Sequence, residues 1–106
     1  MKPYVEFKVG ERVLRLKMKT RDVVALEKAL GRSPLNILME AQEGALPSLE
    51  DMLIILSASL QQYEHGYDLN AVYDLYDEFV DAGNTMIDLI PIIIDVLSVS
   101  GYIKMN

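Results

Sequence analysis

The chain contains no cysteine. That absence excludes a disulfide framework and thiolate chemistry, and it fits a reducing compartment. Histidine occurs once, as His65. One imidazole without cysteine cannot build a zinc site of ordinary type. No serine or aspartate accompanies it in a recognisable catalytic motif, so it reads as a residue at a helix end. A glycine-rich phosphate loop is also missing, because Gly31-Arg32-Ser33 lacks both the spacing and the preceding strand. The segment Asp68–Phe79 has acids in the manner of a calcium loop. Its sixth position is Tyr73, where the bend needs glycine, and Phe79 stands where the chelating glutamate belongs. Glu27, in the first helix, is better suited to an ion pair with a hairpin base than to acid–base work. No residue set for an enzyme remains, and no cofactor or metal is expected.

Long hydrophobic runs are absent too. The most apolar window, Thr85–Leu97, is too short for a membrane span and carries two aspartates. The opening MKPYVEFKV has no apolar core of the signal-peptide type, so no signal peptide is expected. Bases are scarce after residue 32. Residues 1–32 hold nine Lys and Arg against four acids, a balance of +5, whereas residues 33–106 hold only Lys104 against twelve acids, a balance of −11. The net charge of −6 makes nucleic acid a poor partner, since phosphate contacts need clustered bases.

What is present is enough apolar material for a core. The chain is 106 residues long and 51% hydrophobic, which predicts one domain, with a hairpin over residues 1–19 and helices over 20–106. Val5, Phe7 and Val9 alternate with Glu6 and Lys8 in a strand Tyr4–Lys8. Leu14, Leu16 and Met18 alternate with Val13, Arg15 and Lys17 in a second, Arg12–Met18. Gly10-Glu11 suits the tight turn between them. A two-stranded ribbon is marginal alone, so its apolar face needs helices.

After Met18 the period changes to that of a helix. Thr20 is the expected cap of a first helix with Val23, Leu26 and Leu30 inward, and Gly31 ends it. Ser33-Pro34 restarts a helix at once, with Leu35, Leu38 and Met39 as its inner face. Ser48 caps a third, in which Leu49, Met52, Leu53, Leu56, Leu60 and Tyr63 keep helical spacing as far as His65-Gly66. A fourth runs from about Leu69 to Ala82 around Val72, Leu75, Tyr76 and Phe79. Thr85 and Asp88 form a capping box for the fifth, Pro91 is expected to kink it, and Gly101 stops it before a short tail, Tyr102–Asn106. The fold class expected is α+β, an N-terminal β-hairpin packed on a mainly α-helical domain of about five helices. Thr85–Leu97 is expected at its centre, because polar residues occupy only one narrow stripe of that helix.

The run Val13–Leu38, VLRLKMKTRDVVALEKALGRSPLNIL, joins a short basic strand, a Thr-led helix, Leu26-Glu27, Gly31 and Ser33-Pro34-Leu35. In that order it resembles the tail assembly chaperones of long-tailed bacteriophages and prophages. The resemblance covers the first third closely and the helical remainder in outline. It implies a non-enzymatic chaperone that binds the long, helical, apolar tape measure protein and helps recruit the tail tube protein during tail morphogenesis. It further implies action in the host bacterial cytoplasm and absence from the mature virion. Many members also have a longer, frameshifted form, of which this chain would be the shorter counterpart. A permanent tail or connector subunit is the alternative. A helix-turn-helix regulator over Val23–Met39 is disfavoured, since Pro34–Ala41 carries no base.

Two sets of residues are candidates for contacts. Met86, Ile87, Ile90 and Ile94 are expected to meet a partner, although the same positions suit a core. The charge split suggests a homo-oligomer in which Arg15, Lys17 and Arg21 of one copy meet Asp74, Asp77, Glu78 and Asp81 of the next. A plain solvated face is the simpler account of that acidic stripe.

Overall fold

A computed structural model describes residues 3–103. Two antiparallel strands, β1 (Val5–Val9) and β2 (Arg12–Leu16), precede five helices: α1 (Thr20–Leu30), α2 (Pro34–Gln42), α3 (Leu49–Leu60), α4 (Leu69–Asp81) and α5 (Met86–Val99). The chain is thus an α+β fold, as the change of period at Met18 predicts. The last part of the expected tail, residues 104–106, lies outside the described residues.

The hairpin pairs Phe7 with Leu14 and Val5 with Leu16, and Val9 with Arg12 closes the two-residue turn. Gly10 has φ 61° while Glu11 keeps a negative φ, the sign pattern of a type II′ turn. This register gathers Phe7, Val9, Leu14 and Leu16 on one buried face. β2 ends two residues earlier than its alternation suggests. Lys17 N–H donates to the Ser59 carbonyl at 2.9 Å, and Met18 N–H donates to Ser100 Oγ at 2.9 Å. Those backbone donors meet helix ends instead of a neighbouring strand, yet Met18 stays buried as its spacing requires.

The helix starts follow their caps, with one correction. Ser33, Ser48 and Asp68 side chains accept from the backbone N–H groups of Leu35, Asp51 and Ala71. Thr85 N–H donates to Asp88 at 2.8 Å, the reverse half of a capping box. For α1 the cap is Lys19, not Thr20. The Asp22 carboxylate accepts the Lys19 N–H at 3.0 Å, which brings the entry one residue forward. Ser33→Ala should lower stability by about 1 kcal/mol, measured by urea unfolding, since it removes one cap and leaves the rest of α2 intact.

The centre of the molecule is α3, not α5. Helix α3 packs against α1, α4, α5 and β2. It buries Met52, Leu53, Ile55, Leu56, Ser59 and Leu60, so it is covered on more of its circumference than its stripe suggests. Ser59 is tolerated because its Oγ donates to the Ile55 carbonyl at 2.7 Å. The helix ends at Leu60, short of the expected His65-Gly66. Gln61 Nε2 donates to the carbonyls of Ser57 and Tyr67, folding the connection back. Tyr63 therefore leaves the helical stripe and packs its ring edge-on to Tyr4, with centroids 5.4 Å apart. Phe7 of β1 meets Phe79 of α4 at 5.1 Å, joining the sheet to the helices.

Helix α5 buries Leu89, Ile93, Val96 and Leu97 against α3 and β1. At its C-terminal end Gly101 takes φ 93° and donates to the Ser98 carbonyl, while Tyr102 N–H donates to the Leu97 carbonyl at 2.9 Å. This Schellman arrangement turns Tyr102 and Ile103 back onto the core.

A candidate partner-binding groove between two helices

Helix α2 is the least embedded element. Pro34 and Ile37 are buried, and Leu38 packs partly against the core. About a quarter-turn round the helix lie Leu35, Leu38, Met39 and Gln42. On α5, Ile90 and Ile94 occupy the corresponding flank beside the buried Ile93 and Leu97. The two flanks face each other across an open trough of about 680 Å³, which Leu46 and Ile103 on the returning tail also line. Met39 is 59% exposed and Leu46 60% exposed. Placing Met39 on the inner face of α2 is therefore corrected: it lies on the groove side, because Pro34 and Ile37 take the core side. Beneath the floor, Leu38, Ala41, Ile90 and Ile94 cover a void of about 20 Å³ above Met52 and Ile55.

The candidate partner residues divide. Ile90 and Ile94 line the groove. Ile87 continues the same flank of α5 and is 56% exposed. Met86 and Ile90 are both partly buried against the core, but Met86 does not line the groove. Pro91 lies within α5 and is exposed, one turn after Ile87. With no N–H, Pro91 cannot supply the usual i→i−4 bond to the Ile87 carbonyl. Sequence reading missed the α2 side of the groove. Its signal was present in Leu35 and Leu38, whose spacing fits the core and an open flank equally well.

The charged candidates behave differently. Arg15 is held within the chain: its backbone N–H donates to Glu64 Oε2 at 2.9 Å, and its guanidinium lies 5.0 Å above the Tyr63 ring. Glu78 accepts from Arg12 at 2.8 Å, and Arg12 also donates to the Tyr67 hydroxyl. Arg32 binds both oxygens of Glu40 at 2.8 Å and reaches Asp51 at 3.3 Å, tying the start of α2 to α3. The Glu40 hydrogen bond, first among several influences, raises the Arg32 pKa. Three arginines of the basic third thus meet acids of the remainder. Exposed pairs of this kind add little stability each, but they consume charge that would otherwise face outward. Lys17 keeps only its backbone bond to Ser59, and Arg21, Asp74, Asp77 and Asp81 make no ion pair among the described residues. Asp77 borders a shallow cleft with Glu50, Tyr73 and Tyr76. Among the described residues no group of three or more acids or histidines is arranged to hold a metal ion.

Glu27 forms no ion pair with a hairpin base among the described residues. It lies near Tyr102, whose pKa is raised first by burial and then by the Glu27 charge. No helix among the described residues is long and apolar enough to cross a membrane.

A family of unknown function, DUF6096, matches residues 2–106. The chain belongs to that family. No match was found among curated proteins or among solved structures. DUF6096 membership carries no stated activity, so a functional reading of this family member rests on its surface.

Proposed function

We propose that this protein is a non-enzymatic assembly chaperone of the phage-tail type. In this reading it binds the tape measure protein and helps recruit the tail tube protein in the host bacterial cytoplasm, and it leaves before the virion is complete. One observation carries the client-binding half of the reading. Met39, Leu46, Ile90 and Ile94 form an apolar trough at the surface of a chain whose core is already closed by α3. Large apolar patches of this kind mark partner contacts in proteins that otherwise present polar surface. Methionine in the wall suits a client whose side chains vary along its length. The phage-tail half is supported by the resemblance over Val13–Leu38.

The test is a pull-down from prophage-induced cells. Recovery of a very long helical protein together with a tube protein supports the reading, and recovery of neither ends it. Mass spectrometry of purified virions separates it from a permanent tail subunit. Abundant peptides from this chain in virions would move the assignment to that subunit.

Self-association belongs to the same reading, with Lys17 and Arg21 as donors and Asp74, Asp77 and Asp81 as acceptors. Arg15 and Glu78 would have to leave their partners within the chain to join. Light scattering should then show oligomers at low salt that loosen as salt screens charges over about 8–10 Å. A monomer at every concentration and at low salt refutes it.

A further inference from the structure

We propose that the α2/α5 groove receives about two turns of an amphipathic helix bearing Lys or Arg beside its apolar face. The proposal deepens the client-binding reading and depends on it only for the client's identity.

The shape points to a helix. Leu35, Leu38 and Gln42 mark two turns along one wall, about 10 Å at a helical rise, and Ile90 and Ile94 mark one turn along the other. A trough of that length fits anchors at i, i+3 or i+4, and i+7 of a docked helix. β-Strand addition would need a free strand edge beside the groove, and both walls here are helices with no aromatic side chain of the kind that receives polyproline segments.

The charge decides the flanks. On one wall Glu43, at the end of α2, lies next to Met39 on the helix surface, whereas Glu40 is turned away and held by Arg32. Asp88 and Asp95 form, with Pro91, the stripe next to Ile87 and Ile94 on the other. Neither α2 nor α5 contains a Lys or Arg. Among the described residues the only base held to either wall is Arg32, which Glu40 and Asp51 already engage. An incoming helix with acidic flanks would be repelled along its length, whereas one with basic flanks is attracted and oriented.

The floor leaves room for adjustment. A void of about 20 Å³ lies among Leu38, Ile90, Met52 and Ile55. That slack lets the groove-wall side chains adjust to a docked residue while Met52 and Ile55 stay buried.

Two short synthetic helical peptides test this by fluorescence anisotropy. They share one leucine stripe and differ only in flanks, Lys in one and Glu in the other. The Lys peptide should bind at least about tenfold tighter than the Glu peptide. The double variant Met39→Ser/Leu46→Ser should weaken the Lys peptide by about tenfold, because it trims the apolar walls at positions that are mostly solvent-exposed. Glu43→Gln/Asp95→Asn should narrow the gap between the two peptides. In the unaltered protein, methyl NMR signals of Ile90 and Ile94 should move with the Lys peptide, which keeps the test independent of how well any variant folds. Equal affinity for both peptides, no binding of either, or unmoved Ile90 and Ile94 methyls overturns the proposal. So does a protein dimer that Met39→Ser/Leu46→Ser dissociates, since the occupant is then a second copy. The titration contains no phage component. Its failure removes the groove, while a failed pull-down beside a successful titration removes the phage client.

Discussion

Leu56→Asp is expected to abolish the cooperative thermal transition. Leu56 is fully buried at the middle of α3, the helix against which α1, α4, α5 and β2 all pack. The carboxylate would sit among apolar side chains, in the interior of a helix whose backbone donors are already bonded. Leaving a charge unpaired there costs several kcal/mol, and the loss of leucine packing adds about 2–5 kcal/mol. A domain of this size has roughly 5–15 kcal/mol in total. Near-UV circular dichroism should flatten, and a hydrophobic dye should bind. A melt superimposable on that of the parent protein would show that α3 is not the core helix. Leu56→Ala gives the graded version, a lowered midpoint with the transition preserved.

Phe7→Ala should cost about 3–5 kcal/mol, the second-largest effect expected. Phe7 is fully buried and sits 5.1 Å from the Phe79 ring, tilted at 45°. Its ring contact with Phe79 links β1 to α4. An isolated two-stranded hairpin is marginal, so loosening this joint should release the ribbon before the helices. Hydrogen exchange should therefore rise in β1 and β2 ahead of α3. Uniform exchange across hairpin and helices would mean instead that the hairpin and the helical body unfold as one unit.

Much of the local structure was legible in advance. Alternation over Val5–Val9 and Arg12–Leu16 put the correct side chains on the buried face. A two-residue turn beginning with glycine left one register available. Ser33, Ser48 and Thr85 marked three helix entries, and Gly31 and Gly101 marked two exits. Each of these signals acts through hydrogen bonds to residues two to five positions away, so sequence neighbours suffice to determine it.

The misplacements share one cause. Thr85–Leu97 has the most apolar composition, yet α3 is the centre, and α5 leaves Ile87 exposed and Ile90 and Ile94 only partly buried beside the trough. Met39 was expected inward and lies 59% exposed, while Ile55, off the predicted stripe, is fully buried. The acidic stripe on α4 proved to be partly engaged by Arg12, which is 66 residues away from Glu78 in sequence.

Periodicity states which side of an element is apolar. It does not state what lies against that side. The strands, the caps, the helix count and the charge imbalance were properties of the chain read locally. Whether an isoleucine becomes core or groove wall depended on which distant element came to rest beside it. Here α2 leans on the core through Pro34 and Ile37, with Leu38 only partly covered, and Gly101 turns Ile103 back to the same place. That assembly leaves the trough between α2 and α5 open, because no further element of the described chain packs into it.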